Sequence, residues 1–293
     1  LNSETCIDLQ FRKRDLLRLA LSQNDIDELR KHSDWQERQA NYNVNWLNAN
    51  EARKLEPRIA KDTIGALHVE GSFDIEPYRL TLALAQASEK LGVTIKSANV
   101  SAILQENEKI IGVQADQNFI ACENVVIAMG PWSVQAESWL NVKIPIKPLK
   151  GQIIRLRSEG KPFEFSIGHG KNYAMTKPSD GLVWCGTTEE DAAFDETNTV
   201  AARDQIIDSS LRMLPCLETA ELVLQTACLR PVTPDNGIIL GRFPQIRGAY
   251  IATGGGRQGI MMGPGISKLL ADLITSNTLG IGIEQFKPDR FLY

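Results

Sequence analysis

Apolar residues recur at helical spacing in PYRLTLALAQASEKLG, residues 77–92, where Pro77 suits a first helical position and Gly92 supplies a stop. The period then changes. VTIKSANVSAIL, KIIGVQAD, FIAC and NVVIAMG are short, rich in β-branched residues and separated by turn formers, which predicts a meander of strands. A second strand-rich region spans 144–188, a helix covers about 202–214, another strand leads into Arg230, and a last helix fills Ile266 to Asn277. Earlier in the chain, Ser22 with Asp25 reads as a capping box opening a polar helix to about Arg38, and Asn50 as the cap of a short helix ending before Pro57. Helices and strands are intermixed, with no internal repeat and no low-complexity linker, so the class is mixed α and β (α+β).

Composition narrows the functional classes. At 293 residues and 43% hydrophobic, the chain can bury a sizeable core in one large or two ordinary domains. A formal charge of −4 gives no broad positive field for nucleic acid or an anionic membrane, and the one basic run, Arg12 to Arg18, is broken by Asp15 and interleaved with leucines. Cys6, Cys122, Cys185, Cys216 and Cys228 are odd in number and far apart, without metal-ligand spacing. Reduced thiols in a cytoplasm are the expectation, with no metal site. No apolar run reaches the length of a membrane span and nothing reads as a signal peptide. The first residue is Leu1 rather than methionine, which suggests further residues upstream.

One stretch invites a stronger claim. In AYIATGGGRQGIMMGPGISKLLADLI, residues 249–274, Gly254, Gly256 and Gly259 satisfy G-x-G-x-x-G. A dinucleotide fingerprint also needs a second strand after the helix and an acidic residue about 20 positions on. The segment beyond the helix, LGIGIEQFKPDRFLY, has Glu284 but no convincing strand ahead of it. Yet six glycines with Pro264 in the twelve residues 254–265 exceed what a turn requires, and the composition predicts close approach of something to that backbone.

Five blocks in order carry a resemblance: NFIACENVVIAMGPWS, PIKPLKGQIIRL, YAMTKPSDGLVWCGTTEEDAAFD, CLRPVTPDNGIILGR and ATGGGRQGIMMGPG. Together they resemble the D-amino acid oxidase family of FAD-dependent oxidoreductases, most nearly its glycine oxidase and thiamine-biosynthesis oxidase branch, from about Thr5 to Phe291. The family's opening strand, G-x-G-x-x-G turn and helix have no counterpart here, so a unit of roughly 80 residues is expected upstream of Leu1. The resemblance implies an amine-oxidase-like fold of two domains. A substrate domain with a large mixed sheet would comprise 6–74 and 144–230, and the remainder of a Rossmann-like FAD domain 75–143 and 231–293.

The resemblance also assigns residues. Gly254, Gly255, Gly256, Gln258, Gly259 and Ile260 fall in the family's second flavin contact, where backbone N–H groups face the pyrimidine edge and stabilise negative charge on the reduced ring. Gly130 and Val100 match further cofactor positions, Val100 near the adenine. Arg230, in the LRP segment, matches the arginine that clamps the amino acid's carboxylate through two charge-assisted bonds, with a structural ion pair to a neighbouring acid as the alternative. Tyr173 matches a tyrosine whose hydroxyl lines the substrate pocket, with half-buried packing as the alternative, and Arg257 matches a substrate contact or gate, with an exposed loop arginine as the alternative. Cys228 precedes Thr233 and Asp235 at the spacing of the sarcosine oxidase branch, where a cysteine tethers FAD, whereas the LRP segment favours a non-covalent flavin and a plain thiol. His32, His68 and His169 match no family position and read as structural.

The implied activity is oxidation of glycine or another small amino acid by FAD, with oxygen as electron acceptor and peroxide as product. An amino-acid dehydrogenase feeding a quinone, and a fragment unable to bind FAD, are the alternatives. The identity of the amine and the oligomeric state, a homo-oligomer included, stay open at this level.

Overall fold

The computed structural model describes residues 1–36, 38, 43–276 and 280–291. The chain forms two units. The first comprises Leu1–Thr94, Gly151–Glu189 and Thr197–Ala227, the second Ile95–Lys150, Glu190–Glu196 and Cys228–Tyr293.

The first unit is organised by an eight-stranded sheet. Its order is Glu221–Val232, Lys147–Arg157, Val183–Gly186, Asn172–Thr176, Ser166–His169, Leu16–Ala20, Gly65–Glu70 and Asn43–Asn48. Ser166–His169 runs parallel to Leu16–Ala20, while Leu16–Ala20 with Gly65–Glu70 and Asn172–Thr176 with Val183–Gly186 are antiparallel. Leu17, Leu19, Ile154, Ile167, Ala174 and Cys185 point into one core, closed by the helix Val200–Met213 through Ile206 and Met213. Burial pushes the Cys185 thiol up to about 12, so it packs as a small apolar side chain.

Two buried polar side chains of this unit, Gln152 and Arg14, are held by several partners each. Gln152 is fully buried. Its amide oxygen accepts from the Thr199 N–H at 3.0 Å and from Gln225 Nε2 at 2.8 Å, and its Nε2 donates to Thr199 Oγ1 at 3.1 Å. Thr199 in turn caps the helix that follows it. Arg14, 4% exposed, donates to the carbonyls of Thr176 at 2.7 Å and Phe163 at 3.0 Å, and its Nε stands 3.2 Å from Asp74. Such pairing is required, because an unmatched buried charge is costly.

In the second unit two three-stranded sheets carry the chain. Ile239–Arg242 pairs antiparallel with Ala249–Thr253, which pairs in parallel with Val125–Ile127. Val100–Glu106, Lys109–Ala115 and Asn118–Ala121 form the meander. Ile127, Leu140, Ile144, Ile239, Ala249 and Ile251 build one core here, and Ile238, Leu240 and Leu270 another under the last helix.

The expected helix over residues 77–90 is present, with Pro77 at its start, the Glu76 carboxylate accepting the Tyr78 N–H, and Gly92 just beyond at φ +92°. Three expectations change. The short helix is capped by Asn48, not Asn50. Asn48 accepts from the amides of Asn50 and Glu51 while Glu51 reaches back to the Asn48 N–H at 2.8 Å, a complete capping box. The predicted strand at VTIKSANVSAIL begins only at Val100, because the meander's pairing starts where Val100 meets Ala115; Val93 and Ile95 have no partner strand and are exposed. The last helix is Gly259–Thr275, seven residues earlier than the apolar period indicates, with Pro264 inside it. Asn277, its expected end, lies outside the described residues.

Candidate functional site

Strand Ala249–Thr253 ends in the glycine stretch, and the chain turns through Gly256–Gln258 into the helix Gly259–Thr275. Gly254 has φ +83° and Gly256 φ +49°, left-handed conformations that side chains disfavour. Space is restricted as well. A Cβ on Gly254 would stand 3.1 Å from Thr233 Cγ2 and 3.2 Å from the Gly237 carbonyl, and one on Gly255 only 2.8 Å from the Gly259 Cα. These two glycines are therefore explained by the protein's own packing.

The glycines further along differ. Gly259 and Gly263, one helical turn apart, have nothing within 4 Å of where a Cβ would sit, and the same holds for Gly130. No side chain caps the first turn of this seventeen-residue helix. Its leading amides are thus left without a side-chain partner beside open space, the arrangement that accepts an anionic or carbonyl edge. Gly130, at φ +54°, is tied to the same region, since its carbonyl accepts the Thr253 hydroxyl at 3.0 Å. Ser133, three residues on, is fully buried and its Oγ has no partner among the described residues.

Arg230 lies near the end of strand Glu221–Val232. A Cβ on Gly256 would stand 3.8 Å from Val232 Cγ1, so Val232 faces the glycine turn, and the two-residue period of a strand sets Arg230 and Cys228 on that same face. Cys228 is exposed. Arg257 is in the turn and Ile260 in the first turn of the helix, 45% exposed. Val100 opens the meander strand Val100–Glu106, in a different sheet from the strand that leads into this turn. Tyr173 belongs to the first unit. It pairs with Gly168 and Gly186, and a Cβ on Gly186 would come within 3.1 Å of its ring, so that glycine makes room for the phenol.

Asp235 and Arg290 hold the turn against which Gly254 packs, and of these only Asp235 is singled out by spacing. Asp235 accepts from Thr233 Oγ1 at 2.8 Å, the Gly237 N–H at 3.0 Å and Arg290 Nε at 2.8 Å, and the Arg290 guanidinium holds its carboxyl well below the usual carboxylate range. The T-x-D-x-G spacing is the signal that could have flagged the turn. Lys150, 1% exposed, pairs with Asp195 at 2.9 Å, and Trp132 packs against Phe194 with ring centroids 6.0 Å apart. His169 Nε2 is 3.2 Å from Asp25, and His68 stands between Asp15 and Glu70. The His32 side chain lies outside the described residues. Two cavities of about 510 and 530 Å³, around Leu16, Leu29 and Leu67 and around Leu140 and Phe243, hold none of the predicted site residues. The described residues contain no cluster able to hold a metal and no helix long and apolar enough to cross a membrane.

Comparison with known proteins identifies the family. A family model described as DAO, FAD dependent oxidoreductase, matches residues 1–273. The hydrogen cyanide synthase subunit HcnC of Pseudomonas aeruginosa is 30% identical over 251 residues, 85% of this chain and 60% of that protein's length. Glycine oxidase of Geobacillus kaustophilus is 26% identical over 304 residues, covering 100% of this chain and 78% of the relative. The crystal structure of glycine oxidase from Geobacillus kaustophilus superposes with a TM-score of 0.93 at 25% identity, over 99% of this chain and 78% of that one.

Proposed function

The chain belongs to the DAO family of FAD-dependent oxidoreductases, and from that premise we propose that the whole protein oxidatively deaminates glycine or another small amino acid. The overall change is amine, oxygen and water to oxo acid, ammonia and hydrogen peroxide. The observation that carries this reading is the Gly254–Gly259 turn running into an uncapped helix, beside the strand that bears Arg230. Likeness to glycine oxidase supports the choice of substrate class.

Bound FAD supplies the hydride acceptor and the path of electrons to oxygen. The chain's own residues bind and orient. The amides of the glycine turn and the start of helix Gly259–Thr275 offer partial positive charge to the pyrimidine edge. Arg230 grips the substrate carboxylate with its planar fork, which fixes the α-carbon and leaves the amine outside the grip. Tyr173 is proposed to donate its hydroxyl to the substrate, and Arg257 to make a second ionic contact or gate access. Gly130 and Val100 complete the proposed cofactor contacts, Val100 toward the adenine. Cys228 is assigned as a plain thiol, so acid precipitation should leave flavin in the supernatant. As domain roles, we propose 6–74 and 144–230 for substrate and 75–143 and 231–293 for the rest of the FAD-binding part.

The first test is a visible spectrum of the 293-residue chain after incubation with FAD and desalting, followed by peroxide detection against a panel of small amino acids. Retained flavin bands with peroxide release from glycine support the proposal. A flavin-loaded protein that reduces a quinone but yields no peroxide refutes the oxidase, and a colourless protein restricts every catalytic role to a longer chain.

A further inference from the structure

The turn Thr233–Gly237 is the seat of the glycine loop. Gly254 is confined by Thr233 Cγ2, the Gly237 carbonyl and the Ile239 nitrogen, all within 3.1–3.3 Å of where its Cβ would be. The turn is closed by Asp235, which receives the Gly237 N–H at 3.0 Å, while the Thr233 hydroxyl shares its one proton between Asp235 Oδ1 at 2.8 Å and the Gly237 carbonyl at 2.7 Å. Short polar turns of this kind open and close readily unless they are tied down.

The tie comes from the far end of the chain. Arg290, 16% exposed at its side chain, sends Nε to Asp235 Oδ2 at 2.8 Å and Nη2 to Oδ1 at 3.2 Å. Nη2 also reaches the Gly237 carbonyl at 3.3 Å, and Nη1 donates to the carbonyls of Phe286 at 2.9 Å and Lys287 at 3.2 Å. Each guanidinium nitrogen is thus engaged, two on the turn and one on the C-terminal segment itself. A planar fork with this many fixed contacts transmits position, which a point charge does not.

We infer that Arg290 is a positioning residue: its bidentate grip on Asp235 locks the Thr233–Gly237 turn, and through that turn sets the backbone of the Gly254–Gly259 loop. The link rests on the geometry alone, and its consequence for cofactor affinity rests on the functional reading above. Arg290 grips Asp235 and Gly237 rather than a reacting group, and acts on the loop through them.

Amide hydrogen exchange on the 293-residue chain tests this, with the Gly237 and Gln258 N–H groups as reporters, since Gln258 donates to the Gly255 carbonyl at 2.8 Å. Arg290→Ala and Asp235→Asn are expected to speed exchange at both reporters about tenfold, as a charge-assisted bond of ~1.5 kcal/mol would predict. Arg290→Lys keeps the charge but offers one nitrogen, and falls between. The double variant exchanges no faster than the faster single one. Strands of the first unit keep their protection throughout. Loop exchange unchanged in Arg290→Ala, or acceleration spread evenly over the whole chain, overturns the inference. Should the alanine variant fail to fold, Arg290→Lys carries the test by itself, and parent-like loop exchange there overturns the inference. An FAD titration of the same variants separates the two readings: a loosened loop with weaker FAD binding supports both, whereas a loosened loop with unchanged FAD affinity upholds the tie and removes the loop's flavin role.

Discussion

The two units handle their polar backbone in opposite ways. In the first, eight strands pair in one sheet, and buried polar side chains such as Gln152 and Arg14 are matched by specific partners. In the second, the sheets have three strands each, and the chain reserves a left-handed glycine turn and an uncapped helix start facing open space. Backbone groups committed to a sheet leave ligand contacts to the side chains. Uncommitted amides give a surface that can bind, at some cost to its own stability.

That contrast predicts that damage to the core of the first unit registers as lost stability and damage to Arg230 or the glycine loop as lost binding. The largest effect is expected at Arg230. Arg230→Ala should lower kcat/KM for carboxylate-bearing amines by about a hundred- to a thousandfold, the worth of two charge-assisted bonds. Amines lacking the carboxylate should lose little. Equal losses for both substrate classes would remove Arg230 from the carboxylate role. In the scaffold, Leu17→Ala opens a cavity under a fully buried side chain and should cost ~2–5 kcal/mol in urea unfolding. FAD affinity of the folded fraction should be unchanged, and a parallel fall in affinity would erase the contrast.

Gly254→Ala comes next. The positive φ and the crowded Cβ position together should cost ~1–3 kcal/mol in urea unfolding, accompanied by weaker FAD binding. The smallest effect concerns pH. At Asp25, burial works to raise the pKa, but the Ser22 hydroxyl, the Leu21 N–H and His169 outweigh it and hold the carboxyl below its ordinary value. A lowered folded pKa means stabilisation that is present above the unfolded value, near ~4, and fades as the pH falls through the folded value. Asp25→Asn should therefore be less stable than the parent by under ~1 kcal/mol at neutral pH, with the two unfolding curves converging in acid. A constant gap down to the acid limb would count against the linkage.

Local chemistry made much of the fold legible. Pro77 and Gly92 bracket a helix because each suits one end of it and not the middle. The strand reaching Val232 shows in its β-branched and apolar run. What stayed hidden depends on partners. Val93–Ala98 has strand composition but no partner strand among the described residues, and the helix start at Gly259 is disguised by three glycines and Pro264, whose weak propensities are overridden in the fold. The candidate site was legible as a run of glycines. Which of them are packed and which face open space was not, since Thr233 and Gly237 decide it from about twenty residues away. Arg290 was more remote still, separated from Asp235 by 55 positions.

Gln152 has a consequence for chemical ageing. Its oxygen must face the Thr199 N–H and its nitrogen the Thr199 hydroxyl, so the two ends of the amide cannot be exchanged. Deamidation to glutamate would change one heavy atom and hardly any volume. It would nevertheless put an acceptor where a donor is required and a charge where there is no cation among the partners described. A single hydrolytic event at this position would thus act as a clock on the lifetime of the first unit, recorded by mass spectrometry as a gain of about one dalton in the fraction that fails to refold.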